Sequence, residues 1–268
     1  MVIDNIFDRL WTGYTRQNPA TKKVYDLFLA EGETVVNDHI AFRTFRDPGI
    51  GVDSLARVFL KNGYELRGEY RFEAKKLFAK HFEHHADPDA PRVFISELLT
   101  EEFSPFLQDT VKSWISAIPD HIRSSDDLIF AGNVSGIPSF ETYEKLRSES
   151  EYAAWLYVNG FCANHFTVSV DRLKKFDTIQ KVNAFLKSNG FLLNDAGGEI
   201  QGAPGELLEQ SSIRAEMVKF RFTGGEFEIP GCYYEFAKRY PDRDGKLYSG
   251  FIAKSADRIF ESTNFYQK

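Results

Sequence analysis

The sequence has very little cysteine: Cys162 and Cys232 are the two cysteines in 268 residues. Two cysteines cannot form the disulfide framework of a small secreted domain, and a chain of this length can bury a core without one. The N-terminus carries Asp4 and Asp8 among its apolar residues, which does not fit the apolar stretch of a secretory signal. These absences predict a reduced, cytoplasmic protein.

The sequence also has few of the features that bind nucleic acid or span a membrane. The 33 basic and 39 acidic residues give a net charge of −6, and the basic residues are scattered rather than clustered. Phosphate binding needs a concentrated basic face, and a membrane span needs about 18 consecutive apolar residues, which the chain does not have. The sequence therefore predicts neither kind of partner, and it leaves the oligomeric state open.

Aromatic residues, by contrast, are abundant, with 25 Phe and 12 Tyr. Hydrophobic residues at 43% and charged residues at 27% are typical of a soluble globular protein. The aromatic content favours curved sheets packed with large side chains.

Residues 1–34 are predicted to form an N-terminal helical arm that packs on the body. Asn18 is typical of an N-cap, Pro19 of a first helical position and Gly32 of a helix end, so the pattern predicts a helix over 20–31. Residues 35–99 then alternate between patterns in the order βαβββ. The predicted elements are a strand at 35–45, a helix at 53–62, and strands at 64–72, 76–85 and 92–99.

The same order returns in residues 161–240. The predicted elements are a strand at 163–170, a helix that ends at Gly190, and strands at 191–194, 207–222 and 226–238. Asp177 and Gln180 resemble a capping box at the start of the helix, and Gly224–Gly225 is typical of a hairpin turn between the last two strands. The insertion 100–160 contains helical patterns at 103–118 and 140–158 and is expected to cap one end of the sheet. Residues 241–268 form a turn-rich tail with a short helix near 256–261.

The two halves also match in their letters. Asp38-His39-Ile40 corresponds to Asn164-His165-Phe166, and the segment 59–64 corresponds to 185–191. The offsets agree, at 126 residues from His39 to His165 and 127 from Gly63 to Gly190. Two independent matches at nearly one offset indicate an internal duplication. The predicted fold is therefore α+β, a single domain in which two βαβββ modules form a curved mixed sheet.

The duplication predicts a metal site. His39 and His165 would be equivalent residues on equivalent strands, and a pseudo-two-fold axis would bring both to the middle of the joint sheet. Glu235 lies on the last predicted strand among aromatic residues, where an unpaired charge would be costly. Two imidazoles and one carboxylate form the arrangement that leaves open positions on Fe(II). Glu97 is interpreted as the counterpart of Glu235 in the first module, and it is the main rival ligand.

Other polar clusters are given less specific interpretations. His81, His84 and His85 suggest a second metal site, but a solvated strand is the favoured explanation. Cys162 and Cys232 are predicted to be packing residues rather than zinc ligands. The glycine-rich segment 197–205 is interpreted as a loop that could shape a pocket. The adjacent polar residues are candidate contacts to the substrate or to the ligands: Gln210, Ser211 and Ser212.

Four segments carry a resemblance to a known family: DHIAFRTF, ANHFTVSV, LEQSSIRA and YYEFAKR. They resemble the 2-oxoadipate dioxygenase/decarboxylase family, within the vicinal oxygen chelate superfamily that also includes hydroxymandelate synthase. The resemblance covers residues 30–265. It implies Fe(II) bound by His39, His165 and Glu235, with Arg43 holding the distal carboxylate of the substrate as a catalytic and binding residue. It also implies a further polar contact from Ser255.

The activity implied by this resemblance is the conversion of 2-oxoadipate and O2 to 2-hydroxyglutarate and CO2, a step in lysine degradation. Residue spacing alone does not distinguish Fe(II) from Mn, Ni or Zn. Three alternatives therefore stay open: a non-oxidative divalent-metal isomerase or lyase of the same fold, a non-catalytic small-molecule-binding protein, and a zinc hydrolase centred on residues 81–85.

Overall fold

The computed structural model describes residues 3–252, so the predicted contact of Ser255 and the predicted helix at 256–261 lie outside the described residues. The helices are α1 (Ile3–Gln17), α2 (Pro19–Ala30), α3 (Val52–Leu60), α4 (Pro105–Ser116), α5 (Asp120–Arg123), α6 (Phe140–Glu149), α7 (Glu151–Asn159) and α8 (Ile179–Ser188). The strands are β1 (Asn37–Phe45), β2 (Tyr64–Phe72), β3 (Leu77–His84), β4 (Arg92–Leu98), β5 (Ala163–Ser169), β6 (Gln201–Ala203), β7 (Leu208–Ser212), β8 (Met217–Phe222), β9 (Gly225–Pro230) and β10 (Glu235–Arg239). No helix among these residues is long and apolar enough to cross a membrane.

An eight-stranded mixed sheet with the order β2-β3-β4-β1-β5-β10-β7-β6 joins the two modules. The two first strands, β1 and β5, are antiparallel neighbours at its centre, and each runs parallel to the last strand of its own module. The central register pairs Ala41 with His165 and His39 with Thr167. The repeat offset of 126 residues relates Ala41 to Thr167 and His39 to His165. Each pair is therefore the repeat of the other, as a two-fold axis between β1 and β5 requires. The predicted duplication is therefore confirmed by strand pairing.

The sheet has two different faces. One face, here called the helix face, packs against helices through aromatic contacts such as Trp11 with Phe166 at 5.1 Å and Phe42 with Phe59 at 5.6 Å between ring centroids. The opposite face carries His39 and is here called the ligand face. Because side chains alternate along a strand, the choice of face decides which polar residues can meet.

The N-terminal arm contains one more helix than predicted. Ile6, Leu10 and Tyr14 recur every four residues and are buried, so α1 presents an amphipathic stripe to the body. Asn18 occupies the N-cap position of α2, but its side chain does not cap the helix. Its Oδ1 instead accepts a hydrogen bond from the backbone N–H of Cys232, at 2.7 Å. The cap prediction was therefore right in position and wrong in role.

The second module departs from the predicted strands. Residues 191–194 form one isolated bridge rather than a strand, and β6 lies inside the segment predicted to be a glycine-rich loop. The predicted strands 207–222 and 226–238 each break in two. The inner pieces, β8 and β9, form a separate hairpin around the predicted Gly224–Gly225 turn, and the outer pieces, β7 and β10, pair in the main sheet. Strand propensity could not locate these breaks because both pieces are rich in β-forming residues.

Two helix predictions also need correction. The N-cap of α8 is Thr178, whose side chain accepts a hydrogen bond from the Lys181 N–H, whereas Asp177 forms an ion pair with the Lys181 side chain. The helical pattern at 140–158 is interrupted at Ser150, whose extended backbone ends α6 and whose side chain caps α7. This break allows α7 to lie over β1 on the ligand face, so the insertion covers one end of that face.

Candidate metal centre

His39, His165 and Glu235 come together in a buried cluster at the middle of the ligand face. One potential ligand atom from each residue lies within 4.8 Å of the others. The Nε2 atom of His39 is 3.5 Å from one oxygen of Glu235, and the Nε2 atom of His165 is 3.4 Å from the other. Among residues 3–252, no other group of three or more His, Cys, Asp and Glu side chains has the geometry of a metal site. The predicted ligands therefore meet in space.

Matched bulges orient the two histidines. In the pairing of β1 with β5, Asp38 and Asn164 are each skipped by the register, so each is an extra residue directly before a histidine. Asp38 Oδ1 is 2.8 Å from His39 Nδ1, and Asn164 Oδ1 is 2.9 Å from His165 Nδ1. Both oxygens are acceptors, which assigns the proton to Nδ1 and makes each Nε2 the unprotonated nitrogen, the one able to bind a metal.

The electrostatics of the cluster fit a cation. Burial lowers the pKa of His165 well below its ordinary value, and burial likewise lowers the pKa of His39, so both rings are neutral as metal binding requires. Burial raises the pKa of Glu235 to about 8. Its Oε2 atom is buried with no hydrogen-bond partner among the described residues. A buried carboxylate oxygen without a partner is costly, and a divalent cation would satisfy it.

Further residues support these three side chains. Gln210 donates a hydrogen bond to Glu235 Oε1 at 2.5 Å, and the Thr167 hydroxyl is 3.1 Å from His39 Nε2. The ring of Tyr233 stacks on His165 at 4.9 Å between centroids. Ser212 pairs with Glu235 in the sheet and is buried. Ser211, also a candidate in the sequence, lies on the helix face and donates to Asn183 instead.

Arg43 lies on the same strand face as His39, under the helical insertion. Its side chain is 1% exposed, and its guanidinium carbon is 4.9 Å from the Tyr152 ring centroid and 5.2 Å from that of Trp155. Glu151 Oε1 is 3.8 Å from the Nη1 atom of Arg43. The buried guanidinium therefore makes cation–π contacts with two aromatic rings of α7.

The rival ligand Glu97 does not belong to the centre. It accepts hydrogen bonds from Arg46 Nε and from the backbone N–H of Val52, both at 3.0 Å. The interpretation of Glu97 as the counterpart of Glu235 was also wrong. Glu235 pairs with Thr167, the equivalent of Ala41, and Ala41 pairs with Phe94. The first module thus has Phe94 where the second has Glu235.

His81, His84 and His85 do not form a second group with metal-site geometry among the described residues. His81 is buried on the ligand face rather than solvated as predicted, and it is hydrogen-bonded to Tyr70 and Glu83. His84 Nδ1 accepts backbone N–H groups, and His85 Nδ1 bonds the Gly63 carbonyl. Separately, Cys162 and Cys232 are free thiols that pack with the hydrophobic core, as predicted.

Several residues that shape the centre were not predicted, although one signal was present in the sequence. Each histidine of the cluster follows a hydrogen-bond acceptor, Asp38 or Asn164, and this match in the repeat could have identified both orienting residues. No such signal marks Phe251 or Arg239. The Phe251 ring is 4.9 Å from that of His39, and Arg239 donates a hydrogen bond to Asp38. Their roles depend on the path of the chain after β10.

The comparisons with known proteins first define the class of fold. A solved structure from Ralstonia eutropha JMP134, assigned to the glyoxalase superfamily, aligns with a TM-score of 0.74 at 22% identity. The alignment covers 90% of this chain and 83% of that one. At this identity the likeness shows the fold alone, and it confirms the predicted vicinal oxygen chelate type of fold.

The family follows from closer matches. The family model described as 2-oxoadipate dioxygenase/decarboxylase matches residues 7–123 and 129–242. This chain belongs to that family, and the family is one of enzymes. The structure of hydroxyglutarate synthase from Oryza sativa in complex with 2-oxoadipate aligns with a TM-score of 0.91 at 36% identity, covering 98% of this chain and 92% of that one. A structure from Shewanella frigidimarina NCIMB 400, named as a hydrolase, aligns with a TM-score of 0.89 at 46% identity, covering 94% and 98%.

Proposed function

We propose that the protein is an Fe(II)-dependent dioxygenase that converts 2-oxoadipate and O2 to 2-hydroxyglutarate and CO2 in lysine degradation. The observation that carries the proposal is the buried cluster of His39, His165 and Glu235 with Arg43 on the same strand face. Two neutral imidazoles and one carboxylate are the donor set of non-haem Fe(II) oxygenases. Membership of the family supports the choice of reaction.

Fe(II), when bound, would supply the redox chemistry that activates O2 beside the 2-oxo acid. The three ligands would hold the metal from the floor of the sheet, which leaves its other side for the substrate. Asp38 and Asn164 keep the two imidazoles in the ligating tautomer, and Gln210 fixes the orientation of Glu235. The protein's own contribution is therefore a rigid, preorganised site.

Arg43 would select the substrate by its distal carboxylate. His39 and Arg43 are four residues apart on one strand, so their Cα atoms are separated by about 13 Å, and both side chains shorten this gap. A short 2-oxo dicarboxylic acid can then chelate the metal at one end and reach the guanidinium at the other. Ser212 lies next to Glu235 on this face, and together with Gln210 and Ser255 it completes the proposed set of substrate contacts. The proposed compartment is the reducing cytoplasm, in keeping with two free thiols.

Oxygen uptake tests the proposal directly. Protein purified without oxygen is loaded with Fe(II) and given 2-oxoadipate, and O2 consumption and CO2 release are followed together. We expect equal uptake and release, and neither in the His165→Ala variant, which lacks one ligand. A monocarboxylic analogue of the same length, 2-oxohexanoate, serves as the substrate control and should react much more slowly, because it has no carboxylate for Arg43.

The same experiment separates the alternatives. Turnover of a 2-oxo acid without oxygen would favour a non-oxidative isomerase or lyase and contradict the proposal. Metal and substrate binding without any turnover would favour a binding protein. A protein that binds no metal at the His39 cluster would overturn the metal centre itself.

A further inference from the structure

The chain folds back over the ligand face after β10. Residues 240–252, here called the covering segment, carry Phe251, which is 7% exposed. Its ring centroid is 4.9 Å from that of the proposed ligand His39, 4.8 Å from Phe94 and 5.4 Å from His81. Its backbone N–H donates to the Tyr70 hydroxyl at 3.2 Å. The covering segment therefore forms one wall of the metal centre.

A single guanidinium joins this wall to the ligand histidine. Arg239 donates from Nε and Nη2 to the two oxygens of Asp38, at 2.6 and 2.9 Å. Its Nη1 donates to the carbonyls of Tyr248 and Gly250 in the covering segment, at 2.9 and 2.8 Å. Its side chain is 2% exposed. Asp38 in turn orients His39. The buried guanidinium of Arg239 therefore contacts both the covering segment and the carboxylate that orients a proposed metal ligand.

We propose that Arg239 is a positioning residue that couples the covering segment to His39, so that metal binding and ordering of the segment favour each other. The proposal rests on the metal centre of the proposed function, but it depends on neither the substrate nor O2. Arg239 lies four residues after the ligand Glu235, on the same face of β10, so its backbone is fixed by the same strand.

The physical basis of the coupling is the geometry of Asp38. A buried carboxylate needs both oxygens satisfied, and Arg239 supplies a forked contact that fixes the plane of the Asp38 carboxyl group. A lysine at position 239 would keep the charge but could not bond both carboxylate oxygens and both carbonyls of the segment. Coupling between two binding events is reciprocal: if an ordered segment strengthens metal binding, metal binding must order the segment.

The test measures metal affinity and segment protection separately from turnover. Zn²⁺, a redox-inert probe, is titrated in competition with a chromophoric chelator. Amide hydrogen exchange of residues 240–252 is measured with and without Zn²⁺. In the unaltered protein we expect Zn²⁺ to slow exchange at Tyr248 and Phe251. In Arg239→Lys we expect about tenfold weaker Zn²⁺ binding and no slowing in the segment.

A matched control and a second variant keep the test decisive. Lys238→Gln removes the neighbouring cation of β10, which pairs with Asp171, and it should preserve both affinity and slowing. Phe251→Ala alters the wall without replacing a residue of the sheet or a partner of Asp38, and it should weaken Zn²⁺ binding if the coupling is real, even where Arg239→Lys folds poorly. Zn²⁺ binding that is unchanged in the Phe251 variant, or segment exchange that ignores Zn²⁺ in the unaltered protein, would overturn the proposal. Both readouts remain valid if no oxygen uptake is found.

Discussion

The two modules contribute equivalent strands to the sheet, but the side chains that these strands place on the ligand face differ. His39 and His165 occupy equivalent positions, each after a bulged acceptor, Asp38 or Asn164. This part of the duplication stays symmetric because both histidines lie beside the pseudo-two-fold axis. In the proposed metal centre, a single metal at the axis would accept one ligand from each copy, so neither copy could lose its histidine.

Away from the axis the copies have diverged. The position of Glu235 in the second module is Phe94 in the first, and the position of Ser212 is His81. The first module packs its face with aromatic rings and closes it with Phe251, whereas the second keeps polar side chains around the ligands. The proposed metal centre needs only one carboxylate, so the equivalent position in the first module, Phe94, is available to line the wall of the site.

The largest expected effect comes from replacing Glu235, the proposed acidic ligand, which has no carboxylate counterpart in the first module. Glu235→Gln preserves the shape of the side chain but removes the carboxylate, so we expect loss of stoichiometric metal and of oxygen uptake. At a pH above 8 the metal-free variant should be at least as stable as the metal-free parent, because burial raises the pKa of Glu235 to about 8 and a buried carboxylate with one unpartnered oxygen is then replaced by a neutral amide. Metal per chain after dialysis and the thermal midpoint provide the two measurements.

Glu97→Gln is the matched control for this change. Glu97 is a buried glutamate of the first module that accepts hydrogen bonds from Arg46 and the Val52 N–H and does not contact the cluster. The Glu97→Gln variant should retain one metal per chain. Loss of metal in Glu97→Gln, with retention in Glu235→Gln, would reverse the assignment of the acidic ligand.

A second prediction tests the polar end of the first module. Arg43 has Ser169 as its counterpart in the repeat, so only one copy offers a buried cation at this position. Arg43→Lys should lower kcat/KM for 2-oxoadipate on the order of 100-fold, since a buried charged contact is worth several kcal/mol. Metal content should not change. Steady-state oxygen uptake is the measurement, and Arg46→Lys, a partly exposed arginine of the same strand region, is the control. Equal losses for 2-oxoadipate and 2-oxohexanoate would contradict carboxylate recognition.

A third, smaller effect concerns the acceptors behind the histidines. Asp38→Asn makes the first module resemble the second, where Asn164 fills this role, and it removes a charge from behind His39. We expect metal affinity to fall about tenfold, the lower range for residues that orient ligands. The reciprocal Asn164→Asp should weaken binding less or strengthen it. Chelator competition measures both variants. The interpretation fails if Asp38→Asn binds metal as tightly as the parent while Asn164→Asp does not bind it.

The general fold could be predicted because the duplication is written in local patterns. The first module follows its predicted strands closely, since turns and glycines mark each boundary. The second module does not, because the β8–β9 hairpin leaves the sheet within continuous β-forming sequence. Whether such a segment stays in the sheet depends on tertiary packing, here the stacking of Phe227 on Phe140 of the insertion at 3.9 Å between centroids, and not on local propensity.

The three residues of the buried cluster could be predicted for the same reason, and their surroundings could not. His39 and His165 repeat at one offset, and Glu235 stands out as a charge in an aromatic strand. The rival Glu97 was misplaced because sequence order alone does not give strand register: a shift of three residues separates it from Phe94, the true counterpart. Arg239 and Phe251 meet His39 through a chain reversal that no periodicity in the sequence marks.

The smallest expected effect tests whether the first module's face is only a wall. His81→Ser places the residue of the second module, Ser212, at the equivalent position of the first. His81 bonds the Tyr70 hydroxyl at 2.8 Å and Glu83 at 3.0 Å, so the variant should lose about 1–2 kcal/mol of unfolding free energy. Metal content should stay at one per chain, because His81 bonds these partners rather than the centre. Denaturant unfolding and metal analysis measure the two quantities, with exposed His121→Ser as the control. A variant that keeps its stability but loses its metal would mean that the first module contributes more to the centre than its one histidine and the acceptor behind it.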